Sequence, residues 1–164
     1  MRKFLGLLLP ILGLLAILLQ ATVLNRALPG SPWGSPISQI TPDLIQLLCW
    51  MSALRWGMLP SMWAGFWGGL WLDLFVGQLG PGVLTYTFLG WMTGLAGELQ
   101  PNPRAKELLY WGLASTLFVA ISQYLLHWIL VGQQMSIATC MVQFPGQMIW
   151  QLLSLLILAK LRVR

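Results

Sequence analysis

Charge is what this sequence has least of: 8% of its 164 residues are charged, against 57% hydrophobic. A soluble domain carries about 25% charged residues. So few charges cannot cover a globular surface in water, which excludes the ordinary soluble classes. Acids are scarcest, at four: Asp43, Asp73, Glu98 and Glu107. There is one histidine, His127, and there are two cysteines, Cys49 and Cys140. Neither cysteine has metal-ligand spacing, and both stand in or beside apolar runs, where a packed thiol is the plain reading. The sequence also lacks a P-loop and a nucleophile elbow. One histidine and two buried acids on three different helices do not identify a reaction. No catalytic residue, cofactor or metal is therefore expected, and the chain is not read as an enzyme. The net charge of +5 does not imply nucleic acid. The cations stand at the ends of apolar runs, not in a patch interleaved with aromatics.

What is present is apolar length. A spanning helix needs roughly 20 mostly apolar residues, and six such segments with short loops use nearly the whole chain. The expected fold class is an all-α integral membrane protein, one domain of six transmembrane helices. These are placed at about 4–24, 42–58, 60–77, 83–99, 107–131 and 140–161. The first run, Phe4 to Leu24, follows Arg2 and Lys3 as a signal peptide would. It exceeds a typical signal core and no clear small-residue cleavage site follows, so a retained helix is expected, kinked at Pro10. Asn25 to Ile40 is rich in Pro, Gly and Ser and reads as a loop. In "TPDLIQLLCWMSALRWG", Thr41 is the expected N-cap and Pro42 the first helical residue. Asp43 then favours the positive end of the helix dipole. With the N-terminus inside, Arg2, Lys3, Arg55, Arg104, Lys106, Lys160, Arg162 and Arg164 fall on the cytoplasmic side and only Arg26 outside. That asymmetry follows the positive-inside rule and predicts two cytoplasmic termini.

The polar residues inside these runs are regularly spaced. Gly65, Gly69 and Asp73 recur every four residues, so they share one face of the third helix. Trp63, Trp67 and Trp71 share a largely opposed face. Gly90, Gly94 and Glu98 repeat the device on the fourth helix. Small residues let another helix approach closely. The occupant of each glycine face is either a helix of this chain or a partner helix. An ionised Asp near a helix centre costs about 2.5–3.5 kcal/mol on insertion scales, so Asp73 should face protein or water. Two roles stand open for it: docking a partner, or closing the "GQLGPG" turn by accepting backbone N–H groups. Glu98, close to Arg104 and Lys106, is expected to pair with them in solvent. Gln123 and His127 share a face of the fifth helix, and Gln143, Gln147 and Gln151, followed by Ser154, form a polar stripe on the sixth. Such groups either hold a bundle together or line a cavity.

The run "TPDLIQLLCWMSALRWG" followed by "GFWGGLWLDLFVGQLGPGVLTYTFLGWMTGLAGE" resembles the rod shape-determining protein MreD family. The residues that carry the resemblance are Pro42, Asp43 and Leu44, then Gly65, Phe66, Gly69, Leu70 and Asp73, then Leu79 and Gly80, then Gly90 and Gly94. "LQATVL", Leu19 to Leu24, resembles the end of that family's first helix. The resemblance covers residues 19 to 99. It implies a six-helix architecture shared with the substrate-binding subunits of energy-coupling-factor transporters. It also implies a non-catalytic component of the bacterial cell-elongation complex in the inner membrane. The implied partners are the single-span protein MreC, the cytoplasmic MreB filament, and RodA with its penicillin-binding transpeptidase, besides membrane lipid. Partner-binding or structural roles are expected for Gly65, Gly69, Asp73, Gly80, Gly90 and Gly94. Pro42, Asp43, Gln123, His127 and Gln147 are weaker candidates. The alternative function is a substrate-binding subunit of a vitamin transporter, although Ala16 and Ala21 lack the Ala-x3-Ala spacing expected of that class.

Overall fold

The computed structural model describes residues 2–19, 43–77, 80–100, 105–126, 128–129, 148–149 and 151–154, with only the backbone for 2–7, 9, 76 and 105. All regular structure among the described residues is helical. Five helices are fully bounded among the described residues: α1 (Arg2–Leu19), α2 (Leu44–Trp56), α3 (Met58–Val76), α4 (Pro81–Leu99) and α5 (Ala105–Leu126). Residues 148–149 and 151–154 are also helical, within the range expected for a sixth helix. Helix α3 packs against α1, α2 and α4, and α4 packs in turn against α2 and α5.

The ends of these helices follow local chemistry, with some corrections to the sequence reading. Asp43 is itself the N-cap of α2, not a residue inside its first turn. Its φ of −79° and ψ of 95° are extended, and its carboxylate accepts the N–H groups of Ile45 and Gln46 at 3.1 Å. A short acceptor side chain at the cap outcompetes the Thr–Pro pair upstream. Thr41 and Pro42 lie outside the described residues. Gly57 ends α2 and opens α3, so a single residue joins the two helices. Its φ of 90° and ψ of −166° lie in a region almost confined to glycine. Helix α3 thus begins two residues before Pro60, which sits within its first turn. Gly77, in the left-handed conformation, closes α3 with its N–H on the Asp73 carbonyl. Helix α4 starts at Pro81, two residues earlier than expected, because proline suits a position whose N–H has no intrahelical partner.

The seam between α3 and α4 is antiparallel and unusually close. A methyl group on Gly65 would collide with the Tyr86 carbonyl, and one on Gly69 with the Gly82 carbonyl. From the other side, Gly90 meets the backbone of Ser61 and Met62, and Gly94 meets Met58. Two further glycines extend the close packing around α3. Gly68 lies under Ile45 of α2, and a Cβ on Gly13 of α1 would sit 3.3 Å from the Gly68 nitrogen.

Side chains are distributed with much polarity inside and much apolar bulk outside. Gln46, Ser52, Ser61, Thr85, Thr93, Ser115 and Thr116 are all buried. They are interleaved with a core of Ile17, Ile45, Cys49, Ala64, Tyr86, Leu89 and Val119. Leu59, Leu74, Leu84, Leu99, Ile121 and Trp128 stand half or more exposed. By length and composition, one helical stretch among the described residues, Lys106–Leu126, is apolar enough to cross a membrane.

Candidate functional site

Three of the four acids, Asp43, Asp73 and Glu98, stand at helix termini and accept backbone N–H groups. The first four N–H groups of a helix have no partner within it, and the dipole makes that end positive. Asp73, near the end of α3, is 4% exposed. Its Oδ2 accepts from Gly80 N at 2.8 Å and Val83 N at 3.0 Å, and its Oδ1 from Gly82 N at 2.7 Å. Of the two roles open for Asp73, the geometry places its carboxylate on the turn and on the start of α4. Gly80 is the N-cap there, with a φ of 125°.

Glu98 does the same in reverse. At the end of α4, its Oε1 accepts from Met58 N at 3.2 Å, the first residue of α3. Glu98 is exposed; of the cations expected to pair with it in solvent, Arg104 lies outside the described residues, and the donor shown here is one that sequence proximity does not suggest. Antiparallel packing carries the end of α4 past the start of α3, so the nearest donor is one the linear sequence hides. The two Gly-x3-Gly-x3-acid patterns are thus one reciprocal device. Each pair of glycines brings the helices together, and each acid caps the neighbour's N-terminus. A partner helix has no access to Gly65, Gly69, Gly90 or Gly94 while this seam is closed. Of the two occupants left open for these faces, a helix of this chain or a partner helix, the structure shows the helix of this chain.

A second constellation ties α2, α4 and α5. Besides capping α2, Asp43 accepts the Tyr86 hydroxyl on Oδ2 at 2.6 Å. The same hydroxyl accepts from Gln123 Nε2 at 3.2 Å. Asp43 and Tyr86 are buried, at 7% and 3% exposure. Along the α2–α5 contact, Gln46 Nε2 donates to Ser115 Oγ at 2.8 Å and Thr116 Oγ1 at 3.2 Å. Trp50 Nε1 also donates to Ser115 Oγ, at 3.2 Å. Both hydroxyls in turn donate to the Gly112 carbonyl, so Ser115 is fully used. Between α3 and α4, the hydroxyls of Ser61 and Thr93 lie 3.0 Å apart, and Ser61 donates to the Cys49 carbonyl. Cys49 is a buried free thiol. Every one of these groups spans two helices or more, which is what polar side chains contribute in an apolar bundle.

Of the weaker sequence candidates, Asp43 and Gln123 are brought together through Tyr86, while Pro42, His127 and Gln147 lie outside the described residues. Gln151 is buried, and its amide nitrogen has no hydrogen-bond partner among the described residues. Trp63 is 49% exposed whereas Trp67 and Trp71 are half-buried, so the tryptophan row straddles an edge of the bundle. Tyr86, Gln46, Trp50, Ser61, Thr93 and the Ser115–Thr116 pair were not singled out from sequence. Their partners are 12 to 70 residues away, and no local spacing reports such pairs. Among the described residues, no group of three or more His, Cys, Asp or Glu is placed to hold a metal ion. Comparison of the chain with protein-family models, with curated proteins and with solved structures finds no match.

Proposed function

We propose that the chain is a six-span integral membrane scaffold of the MreD kind, both termini cytoplasmic, with no chemistry of its own. On this reading it holds the transmembrane segment of MreC in the bacterial inner membrane. It thereby helps couple cytoplasmic MreB filaments to wall synthesis by RodA and its transpeptidase. The observation that carries the reading is the use made of the acids. Three of the four, Asp43, Asp73 and Glu98, accept backbone N–H groups at helix starts. Carboxylates spent in this way position helices rather than transfer protons. The exposed leucines, isoleucines and aromatics support a lipid-facing exterior, since large apolar side chains ring the bundle while hydroxyls and amides sit inside. Helices α3 and α4, of 19 residues each, have nearly the length of a span. Their glycines and tryptophans dilute their hydropathy.

Because the glycine seam is closed internally, the partner segment docks on an outward face in this proposal. The test is site-specific photo-crosslinking in membranes, with the probe placed in turn at Leu15, Leu74, Leu84 and Leu117. A single-span partner trapped from one face, together with loss of rod shape on depletion of the chain, is the expected result. No trapped single-span protein from any face, with unchanged cell shape, would sink the proposal. One observation favours the alternative of a vitamin-transporter subunit: the buried Asp43–Tyr86–Gln123 chain could be re-aimed at a small polar ligand. Saturable binding of a radiolabelled vitamin to the purified chain, abolished by Tyr86→Phe, would establish that reading instead.

A further inference from the structure

An apolar groove of about 480 Å³ runs between α1 and α2, with a lone cation at one end. Its walls include Leu15 and Leu19 from α1 and Leu44, Leu48 and Met51 from α2, and it ends at Arg55 and Trp56. Apart from Arg55 and the Trp56 indole, the described lining is aliphatic or methionine. Arg55 is exposed and lies over the Trp56 ring at 5.9 Å, and among the described residues no carboxylate pairs with it. The volume falls in the roughly 300–1,000 Å³ range of small-molecule sites. From Leu44 to Arg55 the helix rises about 16 Å at 1.5 Å per residue. That length suits a single extended acyl chain.

We propose that this groove binds an anionic phospholipid of the cytoplasmic leaflet, its acyl chain along α1 and α2 and its phosphate on the Arg55 guanidinium. The proposal rests on the membrane reading above, which places Arg55 at the inner interface. Charge complementarity selects the occupant. Among the described residues the groove offers one guanidinium, whose planar donors suit a phosphate, with the Trp56 indole beside it and otherwise hydrocarbon contact. A tryptophan beside the cation is the usual anchor at headgroup level. An acidic soluble ligand would leave the apolar length unfilled, and a zwitterionic lipid, though it has a phosphate, carries its own ammonium group that offsets the attraction of Arg55.

The test is native mass spectrometry of the full chain, purified in detergent and incubated with phosphatidylglycerol or phosphatidylcholine of identical chains. Membrane integration is scored separately by resistance to carbonate extraction. The expected result is about fivefold greater retention of phosphatidylglycerol, the selectivity one cation gives near an anionic headgroup. Arg55→Gln should reduce this to the phosphatidylcholine level. Met51→Trp, which fills the groove, should lower retention of both lipids. Lys106→Gln, which removes an exposed cation elsewhere, should change neither. Equal retention of the two lipids by an integrated chain overturns the lipid site and leaves the membrane reading standing. An equal effect of Lys106→Gln also overturns it, because attraction would then be diffuse. A chain extracted by carbonate overturns both.

Discussion

Replacing Asp73 tests the reciprocal capping most directly. Its carboxylate accepts three N–H groups at 2.7–3.0 Å in a site 4% exposed. Asp73→Leu keeps the bulk and removes every acceptor. Each buried donor left unsatisfied costs about 1–3 kcal/mol. The Gly82 N–H is buried and bears the full cost, whereas Gly80 and Val83 are part-buried and recover some of theirs from water. The expected loss is about 3–5 kcal/mol, a large share of the stability of a small domain. Asp73→Asn retains one acceptor oxygen but loses the charge that faces the α4 dipole, and should cost about 2 kcal/mol. Reversible unfolding in mixed dodecylmaltoside–SDS micelles, followed by tryptophan fluorescence and far-UV circular dichroism, measures both. A loss below about 1 kcal/mol for Asp73→Leu would refute the capping role. Equal losses for Leu and Asn would refute the contribution of the remaining oxygen.

Gly65→Ala should destabilise by about 2 kcal/mol or more, since its methyl meets the α4 backbone, which cannot rotate away. Gly77→Ala, in open space at a φ of 74°, should cost only the left-handed strain of about 1 kcal/mol. The ratio of the two in the same unfolding assay separates steric from conformational causes. Tyr86→Phe removes a donor to Asp43 and an acceptor for Gln123 and should cost about 2 kcal/mol. In a double-mutant cycle with Gln123→Leu the two losses should fall short of additivity, because the second change removes a partner already lost. The Cys49 thiol, 0% exposed, should resist maleimide in the folded protein and react on SDS unfolding. Rapid labelling in the native state would contradict the α2–α3–α4 packing.

The four-residue spacings were legible because helical periodicity is local: Gly65, Gly69 and Asp73 share a face whatever surrounds them. What covers the face is not local. The partner of Gly65 is Tyr86 and that of Gly90 is Ser61, and this register follows from the antiparallel crossing alone. The same limit explains Glu98. Its sequence neighbours offered two cations, but folding offered a helix start 40 residues away. The sequence marks Asp43 as a charge near a helix start, and the observed cap lies two positions beyond the expected one at Thr41. Its second partner, Tyr86, is 43 residues distant and carries no signal in the spacing. Gly57 was passed over because a lone glycine before Met-Leu-Pro does not announce that two helices meet at a single residue. The polar layer of Gln46, Ser115 and Thr116 was hidden for the same reason as Tyr86: it is written across helices and not along one.

The reciprocal caps also differ in how far apart in the chain their two halves lie, and this gives the seam an order of assembly. The Asp73 carboxylate meets donors only seven to ten residues downstream. Closing so short a loop costs little entropy and is fast. This latch can form as soon as the first turn of α4 has been synthesised. Glu98 must close a span of 40 residues onto Met58, and can do so only when α4 is complete and lying alongside α3. The pair therefore closes like a zip, from the Gly77–Gly80 bend toward Gly57, with the glycines as its teeth. A chain ending at residue 85 already holds both halves of the first catch, and one ending before residue 98 lacks the last.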